Sequence, residues 1–299
     1  MVRVRETEVQ FRRYHERLAQ FRYWAAGPQD WEDYWSEHSV EKLLETYSTG
    51  ALGEYEILAR YLPRDLPILE AGCGLARFVI ALAARGYHVE GVDFSAQTIR
   101  RVQTAAPKLN VRVGDVCHLE AVDGTYGGYC SFGVLEHNPE GPLGGLREAR
   151  RVLRPDGVAF ISVPYLNPAR QSRLRRRPAG GASRVPQSLS FYQYYFSRDE
   201  FCSLLNQAGF EMVEMLPTAV YWGWSYDSQP GRWLHRRHYL HWRLHRAVKA
   251  WCETAPMWAR WRWGHMLGFV CRPTPQVGGP PCDGSWPHRD AGKKPEKTA

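Results

Sequence analysis

The sequence predicts an α/β fold, in which helices cover both faces of a parallel sheet. Strand-like and helix-like segments alternate between residues 66 and 163, and strands that alternate with helices form parallel sheets. The first of these strands also opens directly into the glycine-rich turn Gly72-Cys73-Gly74. Such a turn forms a ligand site at the edge of a parallel sheet, because glycine lets the backbone approach a ligand closely.

The first half of the alternating pattern contains three strands and two helices. Residues 66–71 are apolar except for Glu70 and are typical of a buried strand, and residues 76–86 have helical spacing and end at a glycine. Strand 87–93 follows, and helix 95–106 begins with a serine that can cap its first turn. Residues 110–116 are predicted as the third strand.

The second half of the pattern is predicted on the same grounds. Its apolar runs indicate strands, its periodic segments indicate helices, and a serine again precedes the last helix. The elements are strand 126–134, helix 143–153, strand 157–164, helix 197–209, strand 210–216 and a final strand 264–273.

The composition is ordinary for a globular protein and excludes several classes. Of the 299 residues, 44% are hydrophobic and 23% charged, and the net charge of +8 favours an anionic partner without identifying one. Seven cysteines without a CxxC pair predict free thiols in a reducing compartment such as the cytoplasm, and no metal site. The first residues lack the apolar segment of a signal peptide, and no apolar run is long enough to span a membrane.

Residues 1–60 are predicted as a helical N-terminal cap. Trp31, Tyr34 and Trp35 recur at the spacing of one helix face. Two interpretations remain open for these aromatic residues: they pack on the core of the domain, or they form a lid that borders a ligand.

Three further segments differ in composition from the α/β pattern. Residues 165–190 contain six arginines, no acids and clusters of Pro, Gly and Ser, which predicts a long basic loop. The arginine run 173–177 within it is either solvated or binds an anionic group of the acceptor. Residues 219–263 contain eight of the twelve tryptophans and are inserted before the last strand. Residues 273–299, rich in Pro, Gly and Lys, are predicted as a disordered tail.

The insert contains a basic amphipathic pattern. Apolar residues recur at helical intervals among arginines and histidines: Trp233, Leu240, Leu244, Val248 and Trp251. Such a helix either packs on the domain as a cap over the acceptor or lies in a membrane interface, and it could also pair two subunits.

The glycine turn favours S-adenosylmethionine over a dinucleotide. A dinucleotide site has a third small residue where this chain has Arg77. Glu70, just before the turn, suits an ammonium group, although an acid there could also serve the neighbouring helix. Asp93 ends the second strand, where a carboxylate can accept hydrogen bonds from both ribose hydroxyls. Asp115 follows the third strand, where it could bind an adenine amino group or simply belong to a turn.

The segments ILEAGCGLARFVIALAARGYHVEGVDFS, GDV, SFGVLEH and EARRVLRPDGVAFISVP resemble the successive motifs of class I S-adenosylmethionine-dependent methyltransferases. The Leu-Glu-His after the fourth strand is similar to a large subgroup of them. FYQYYFSRDEFCSLLNQAGFEMVE is similar to the segment that these enzymes place before and in their sixth strand. The resemblance covers about residues 30–216 and 264–272. It implies a Rossmann-like sheet with strand order 3-2-1-4-5-7-6 within a domain of residues 61–272, and S-adenosylmethionine as the cofactor.

The motifs and the resemblance together assign a set of site residues. Glu136 and His137 are the candidate catalytic residues, and His137 either takes a proton from the acceptor or shapes its loop. Cys73 is expected as a small filler rather than a nucleophile, and Phe94 either stacks near the adenine or packs in the core. Cofactor contacts are predicted for Glu70, Gly72, Cys73, Gly74, Asp93, Phe94, Asp115, Val116 and Gly133.

The acceptor is expected to be a small molecule that is methylated at oxygen, and nitrogen and carbon stay open as the methylated atom. A secondary metabolite, a glycan or a lipid-like compound fits, and the basic segments favour an anionic or lipid-like one. Nucleic acid is disfavoured, because the fourth strand lacks the Asn/Asp-Pro-Pro-aromatic turn that resembles base-amine methyltransferases, and no Cys stands beside a proline there for pyrimidine methylation. An RNA-modifying enzyme and a non-catalytic scaffold of the same fold remain as alternatives, and peripheral membrane contact through 219–263 is expected as a further possibility.

Overall fold

The computed structural model describes residues 10–14, 17–22, 28–175, 190–237 and 242–275, and helices alternate with strands between Ile68 and Pro164. In chain order, the elements are β1 (Gln10–Tyr14), β2 (Arg17–Arg22), α1 (Pro28–Ser36), α2 (Val40–Tyr47), α3 (Leu58–Tyr61), β3 (Ile68–Ala71), α4 (Arg77–Ala84), β4 (Val89–Asp93), α5 (Ala96–Ala105), β5 (Asn110–Val113), β6 (Tyr126–Phe132), α6 (Leu143–Val152), β7 (Leu153–Pro164), α7 (Pro168–Arg175), β8 (Ser190–Tyr195), α8 (Arg198–Gln207), β9 (Phe210–Thr218), α9 (Val220–Asp227), α10 (Gln229–Arg236), α11 (Trp242–Glu253), α12 (Met257–Trp263) and β10 (Met266–Pro273).

The central sheet has seven strands in the order β5-β4-β3-β6-β7-β10-β9. The first five pair in parallel, and β10 is antiparallel to both of its neighbours. Numbered by their own sequence, these strands follow the order 3-2-1-4-5-7-6, so the predicted topology is confirmed. The carboxyl ends of the parallel strands therefore meet at one edge, where ligands bind in such sheets.

Apolar residues pack against both faces of the sheet. Neighbouring residues of a strand point to opposite faces, and accordingly Ile68 and Leu69 belong to two different buried apolar clusters. The predicted serine caps are confirmed, since the Ser95 and Ser197 side chains accept the backbone N–H groups of Thr98 and Glu200. Each cap satisfies an N–H that the first helical turn leaves without an intrahelical partner.

The prediction of a helical cap over residues 1–60 is wrong for residues 10–14 and 17–22, which are strands, whereas the helices α1, α2 and α3 follow from Pro28 onward. β1 and β2 form a hairpin, and β2 pairs antiparallel with β8. The Gln20 side chain is buried, and its Oε1 accepts hydrogen bonds from Gln193 Nε2 (3.1 Å) and Tyr195 Oη (2.9 Å). This segment is a strand because β8, which is distant in sequence, supplies both the backbone edge that it pairs with and the polar partners of its Gln20 side chain.

The predicted loop 165–190 is partly helical, because α7 occupies residues 168–175. Arg170 in α7 is buried and forms an ion pair with Asp227 of α9, with Nη2 2.8 Å from Oδ2. Arg173 also reaches Asp227, at 3.5 Å. The first arginines of this segment are thus bound by a carboxylate of the protein itself rather than left solvated. Residues 176–189 of the predicted loop lie outside the described residues.

The insert 219–263 contains four short helices, α9 to α12, in place of a long amphipathic helix. The predicted stripe is interrupted, because α10 ends at Arg236 and α11 begins at Trp242, with Leu240 outside the described residues. Residues of α9, α11 and α12 share a small buried cluster of Val220, Tyr221, Cys252, Ala255 and Ala259. In the described part of the chain, no helix has the length and apolar character needed to cross a membrane. Of the predicted tail, residues 276–299 lie outside the described part.

Candidate active site

A cavity of about 420 Å³ lies at the carboxyl edge of the central sheet. Its volume falls in the range of small-molecule sites, about 300–1,000 Å³. Residues from α1, from the ends of β3 to β6 and from the loops that follow them form its wall: Trp31, Trp35, Gly72, Asp93, Phe94, Asp115, Val116, Cys117, His118, Phe132, Gly133, Val134, His137 and Asn138.

The glycine turn after β3 has backbone angles that favour glycine. Gly72 has φ +79° and Gly74 has φ +49°, which lie in the left-handed region. A Cβ on Gly72 would lie 2.7 Å from Cγ1 of Val134 and closer still to its Cγ2, and a Cβ on Gly74 would lie 2.6 Å from the Trp35 ring. The turn therefore tolerates no side chain at either position without displacing a cavity residue.

We expect Gly72→Ala to weaken ligand binding by at least about tenfold and to destabilise the protein by about 1–3 kcal/mol, because it combines backbone strain with a clash. Gly86→Ala is the matched control, since Gly86 has φ +80° and a Cβ there would meet nothing within 4 Å. Urea unfolding and ligand titration measure the two variants side by side. Equal losses of stability and ligand affinity in the two variants would show that the clash with Val134 adds nothing to the effect of Gly72→Ala.

Asp93, at the end of β4, connects the glycine turn to the next loop. Its Oδ2 accepts the N–H of Gly74 (2.8 Å), and its Oδ1 accepts the N–H of Ser95 (3.0 Å). Burial raises the pKa of this carboxyl, and the two backbone donors partly oppose that shift. Asp93 therefore lines the cavity and also holds the turn in place, a second role that the sequence did not indicate.

Glu70 lies beneath the turn, away from the residues that line the cavity. It is buried, and its Oε2 accepts the N–H of Val79 in the first turn of α4 (2.9 Å). This position matches the alternative of an acid that serves the neighbouring helix, while the contact with an ammonium group stays a prediction. Burial raises the pKa of Glu70 to about 8.

The raised pKa of Glu70 predicts that the free energy of unfolding falls as the pH rises. The unfolded carboxyl titrates near 4.5 and the folded one near 8, so between these values the folded state keeps a proton that the unfolded state has lost. The free energy of unfolding then falls by up to about 1.4 kcal/mol per pH unit. Glu70→Gln, which keeps an oxygen for Val79, should flatten this slope in urea unfolding between about pH 5 and pH 8. Unchanged slopes would contradict the assignment.

Asp115 and Val116 line the side of the cavity next to β5, and Phe94 and Gly133 line the sides next to β4 and β6. The Asp115 side chain is exposed, and its Oδ1 accepts the N–H of Cys117 (2.8 Å), so it closes a local turn and still faces the cavity. Phe94 is 40% exposed, which favours the interpretation of a ring available to a ligand over one packed in the core.

Glu136 and His137 belong to a single 3₁₀ turn after β6. The His137 ring nitrogen Nδ1 lies 2.7 Å from the carbonyl oxygen of Tyr192. Because a carbonyl only accepts, Nδ1 carries the proton, and Nε2 of the neutral ring carries the lone pair. Glu136 is buried, its Oε1 lies 3.8 Å from His137 Nε2, and its Oε2 has no hydrogen-bond partner among the described residues. Burial raises the pKa of Glu136 to about 8.

The structure brings together seven of the predicted residues on the cavity wall and places four others behind it. Cys73 packs in the buried core against Gly91, as a small filler. The residues on the wall are Gly72, Asp93, Phe94, Asp115, Val116, Gly133 and His137, and those behind it are Glu70, Cys73, Gly74 and Glu136.

Two tryptophans of α1 were missing from the predicted site. Trp31 packs edge-on to the His137 ring, with centroids 4.8 Å apart, and lies 6.4 Å from the Tyr192 ring. Trp35 covers Gly74. The spacing of these aromatics was the available signal, and their place on the cavity wall favours the lid over the core-packing interpretation.

Comparison with known proteins identifies a family. A model of the methyltransferase domain matches residues 51–215, more than half of the chain. A probable S-adenosylmethionine-dependent methyltransferase of Mycolicibacterium smegmatis is 30% identical over 163 residues, 54% of this chain and 58% of that protein. The S-adenosyl-L-methionine-dependent Diels-Alderase iccD of Talaromyces variabilis is 28% identical over 192 residues, 60% of this chain and 63% of that protein.

The solved structures agree on the fold. A chain from the complex between the Haloferax volcanii Trm112 methyltransferase activator and a candidate methyltransferase superposes with a TM-score of 0.55. It shares 18% identity, over 85% of this chain and 100% of the other. The match to the curated relatives spans a little more than half of their own length.

Proposed function

This chain belongs to the family of class I S-adenosylmethionine-dependent methyltransferases, and on that premise we propose that it transfers a methyl group to a small-molecule acceptor at a hydroxyl oxygen. The proposal covers the binding of S-adenosylmethionine in the cavity at the carboxyl edge of the sheet and the role of His137 as the base. Bound there, the cofactor supplies an electrophilic methyl group on a sulfonium.

The chemistry of the cavity wall fits S-adenosylmethionine better than a phosphate-bearing cofactor. Among the described residues, no Lys or Arg lines the cavity, whereas the carboxylates of Asp93 and Asp115 do. Carboxylates accept hydrogen bonds from ribose hydroxyls and from an amino group, and they would repel a diphosphate. Phe94, Val116 and Phe132 offer apolar surface for a purine ring.

The orientation of His137 is the observation that carries the catalytic part of the proposal. The hydrogen bond from Nδ1 to the Tyr192 carbonyl (2.7 Å) fixes the tautomer, and edge contact with Trp31 fixes the plane of the ring. Nε2 can then accept the proton of an acceptor hydroxyl as that oxygen takes the methyl group. The aromatic contacts orient the reactants and exclude water, which lowers the barrier further.

Glu136 supports this arrangement from beneath the loop. With a pKa of about 8, its buried carboxyl is mostly protonated near neutral pH. A neutral carboxyl behind the wall adds no negative charge that would hold a proton on the His137 ring after transfer.

A lipid-like acceptor is favoured over an anionic one. The buried Arg170 and the partly exposed Arg173 both bind Asp227, so neither of these two residues is left to bind an anionic acceptor. The wall of the cavity is largely apolar and aromatic, which suits an apolar acceptor body with one hydroxyl. The same lack of cations on the wall disfavours RNA, whose binding depends on phosphate contacts.

Two measurements on the purified full chain test this function separately. Calorimetric titration with S-adenosylhomocysteine tests the cofactor site, and we expect micromolar binding. Labelled S-adenosylmethionine with a panel of phenols, aliphatic alcohols, glycans, lipids and RNA tests transfer. Binding without transfer to any hydroxyl would overturn the methyl-transfer proposal and favour a different use of the bound cofactor, as the name of the Diels-Alderase relative implies for that protein. No binding would favour the scaffold alternative.

A further inference from the structure

The insert 219–263 carries most of the exposed apolar surface of the described residues. Seven of the thirteen exposed large apolar side chains lie within it. They are Trp222, Tyr226, Trp233, Leu244, Trp251, Met257 and Trp258. Such a concentration marks an interaction surface, whereas single exposed apolar residues scattered over a protein need no explanation.

Helix α11 carries its packed and its exposed apolar side chains on one broad face. Val248 and Cys252 pack against the cluster that includes Val220 and Tyr221, so they hold the helix on the protein. Leu244 and Trp251 are seven residues apart, which places them on one flank of the helix. They are 50% and 59% exposed. This flank is apolar and remains about half exposed.

The beginning of α12 carries two further exposed apolar side chains. Met257 and Trp258 follow Pro256 in the first turn, and they are 53% and 65% exposed. Arg260 fixes the corner between α11 and α12, because its Nε donates to the Ala255 carbonyl (2.9 Å) and its Nη2 to the Glu253 carbonyl (3.0 Å). Leu244, Trp251, Met257 and Trp258, called the α11–α12 face below, are thus held on a braced pair of helices.

The charge around this face is strongly positive. The insert contains eight Lys and Arg but only two acids, Asp227 and Glu253. Asp227 is buried in its ion pair with Arg170. On α11, Arg243, Arg246 and Lys249 are exposed. An anionic partner at α11 therefore meets three exposed cations and one exposed acid, Glu253.

We propose that the α11–α12 face docks the protein on an anionic lipid membrane. Tryptophan side chains are favoured at the boundary between headgroups and acyl chains, and exposed Leu and Met add apolar area that enters the bilayer. Arg and Lys beside them attract anionic headgroups. A nucleic acid would use the cations and the aromatic rings but would leave Leu244 and Met257 in water, so the lipid surface accounts for more of the observed side chains.

The test is sedimentation of the full chain with vesicles of phosphatidylcholine alone and of phosphatidylcholine with phosphatidylglycerol. We expect binding to the anionic vesicles that weakens with added salt. Trp251→Ala/Trp258→Ala should weaken it by at least about tenfold, because two interfacial side chains are lost. Val122→Ala/Val213→Ala is the matched control, since both side chains are exposed outside the insert, and it should bind as the wild type does. Thermal melting of each variant verifies that the fold is retained.

Three outcomes would overturn the proposal. The first is a wild-type chain that sediments with neither kind of vesicle. The second is equal vesicle binding by the tryptophan variant and the wild type, with both folded. The third is a wild-type dimer in sedimentation velocity that the tryptophan variant alone dissociates, without vesicle binding, since the face would then bind a second copy of the chain. None of these readouts depends on methyl transfer, so they stand apart from the test of the proposed function.

Discussion

Replacing His137 with asparagine is expected to lower kcat for the methylated acceptor by about 10²–10⁴-fold, the usual contribution of a general base. An asparagine amide can still donate to the Tyr192 carbonyl, as Nδ1 of His137 does, so the loop should keep its shape. The base at Nε2 is lost. Affinity for S-adenosylhomocysteine should stay within about twofold, because that ligand gains nothing from a base. Single-turnover transfer of a labelled methyl group measures the chemical step directly.

His118→Asn is the matched control for this variant. His118 also lines the cavity, but its side chain is 84% exposed and its Nδ1 lies 3.2 Å from Asp115. We expect this change to leave kcat close to that of the wild type. If His137→Asn also kept its kcat, the ring would have only the structural role of shaping the loop.

Replacing Asp93 with alanine is expected to weaken S-adenosylhomocysteine binding by about 10–150-fold, which corresponds to about 1.5–3 kcal/mol for hydrogen bonds to a charged group. The expected loss has two sources. The ribose loses its acceptor, and the Gly74 and Ser95 N–H groups lose the oxygens that hold the turn. Asp93→Asn keeps one acceptor oxygen for two backbone donors, so it should give an intermediate loss in calorimetric titration.

Asp115→Asn separates the two carboxylates of the cavity. Its side chain is 58% exposed, so water competes for its hydrogen bonds, and the loss of affinity should be smaller than for Asp93→Asn. If Asp93→Asn bound like the wild type while Asp115→Asn did not, the ribose contact would belong to Asp115.

The glycine turn and the central sheet were predictable because their signals are local. Apolar residues predominate in 66–71 and recur in 87–93, and strands buried on both faces are rich in such residues. The turn at Gly72 and Gly74 was readable for a similar reason, since positive φ angles at these positions restrict the choice of residue. Parallel topology then places the ends of the strands together, which predicts Asp93 and Asp115 at one edge.

The parts of the site that escaped prediction depend on contacts distant in sequence. Tyr192 accepts the His137 hydrogen bond from 55 residues away. Trp31 contacts the same ring from a position far before His137 in the sequence. Asp227 binds Arg170 across a gap of 57 residues, which is why an arginine-rich segment that looked solvated is partly buried. Contacts between residues so far apart in sequence leave no periodic pattern, so they cannot be predicted when only one of the two residues belongs to a motif.

The pairing of β2 with β8 has a consequence for synthesis of the chain. Leu18 of β2 pairs with Tyr195 of β8. At a translation rate of about 5–20 residues per second, β2 therefore waits roughly 10–35 s before β8 has been synthesised. An unpaired hairpin edge is prone to join other chains in that interval. The hairpin contains four arginines, Arg12, Arg13, Arg17 and Arg22. Because charges of one sign on an open strand edge repel each other, they oppose pairing between nascent copies on one polysome. Tyr192 also lies in β8, so the hydrogen bond that orients His137 forms only after this strand has left the ribosome.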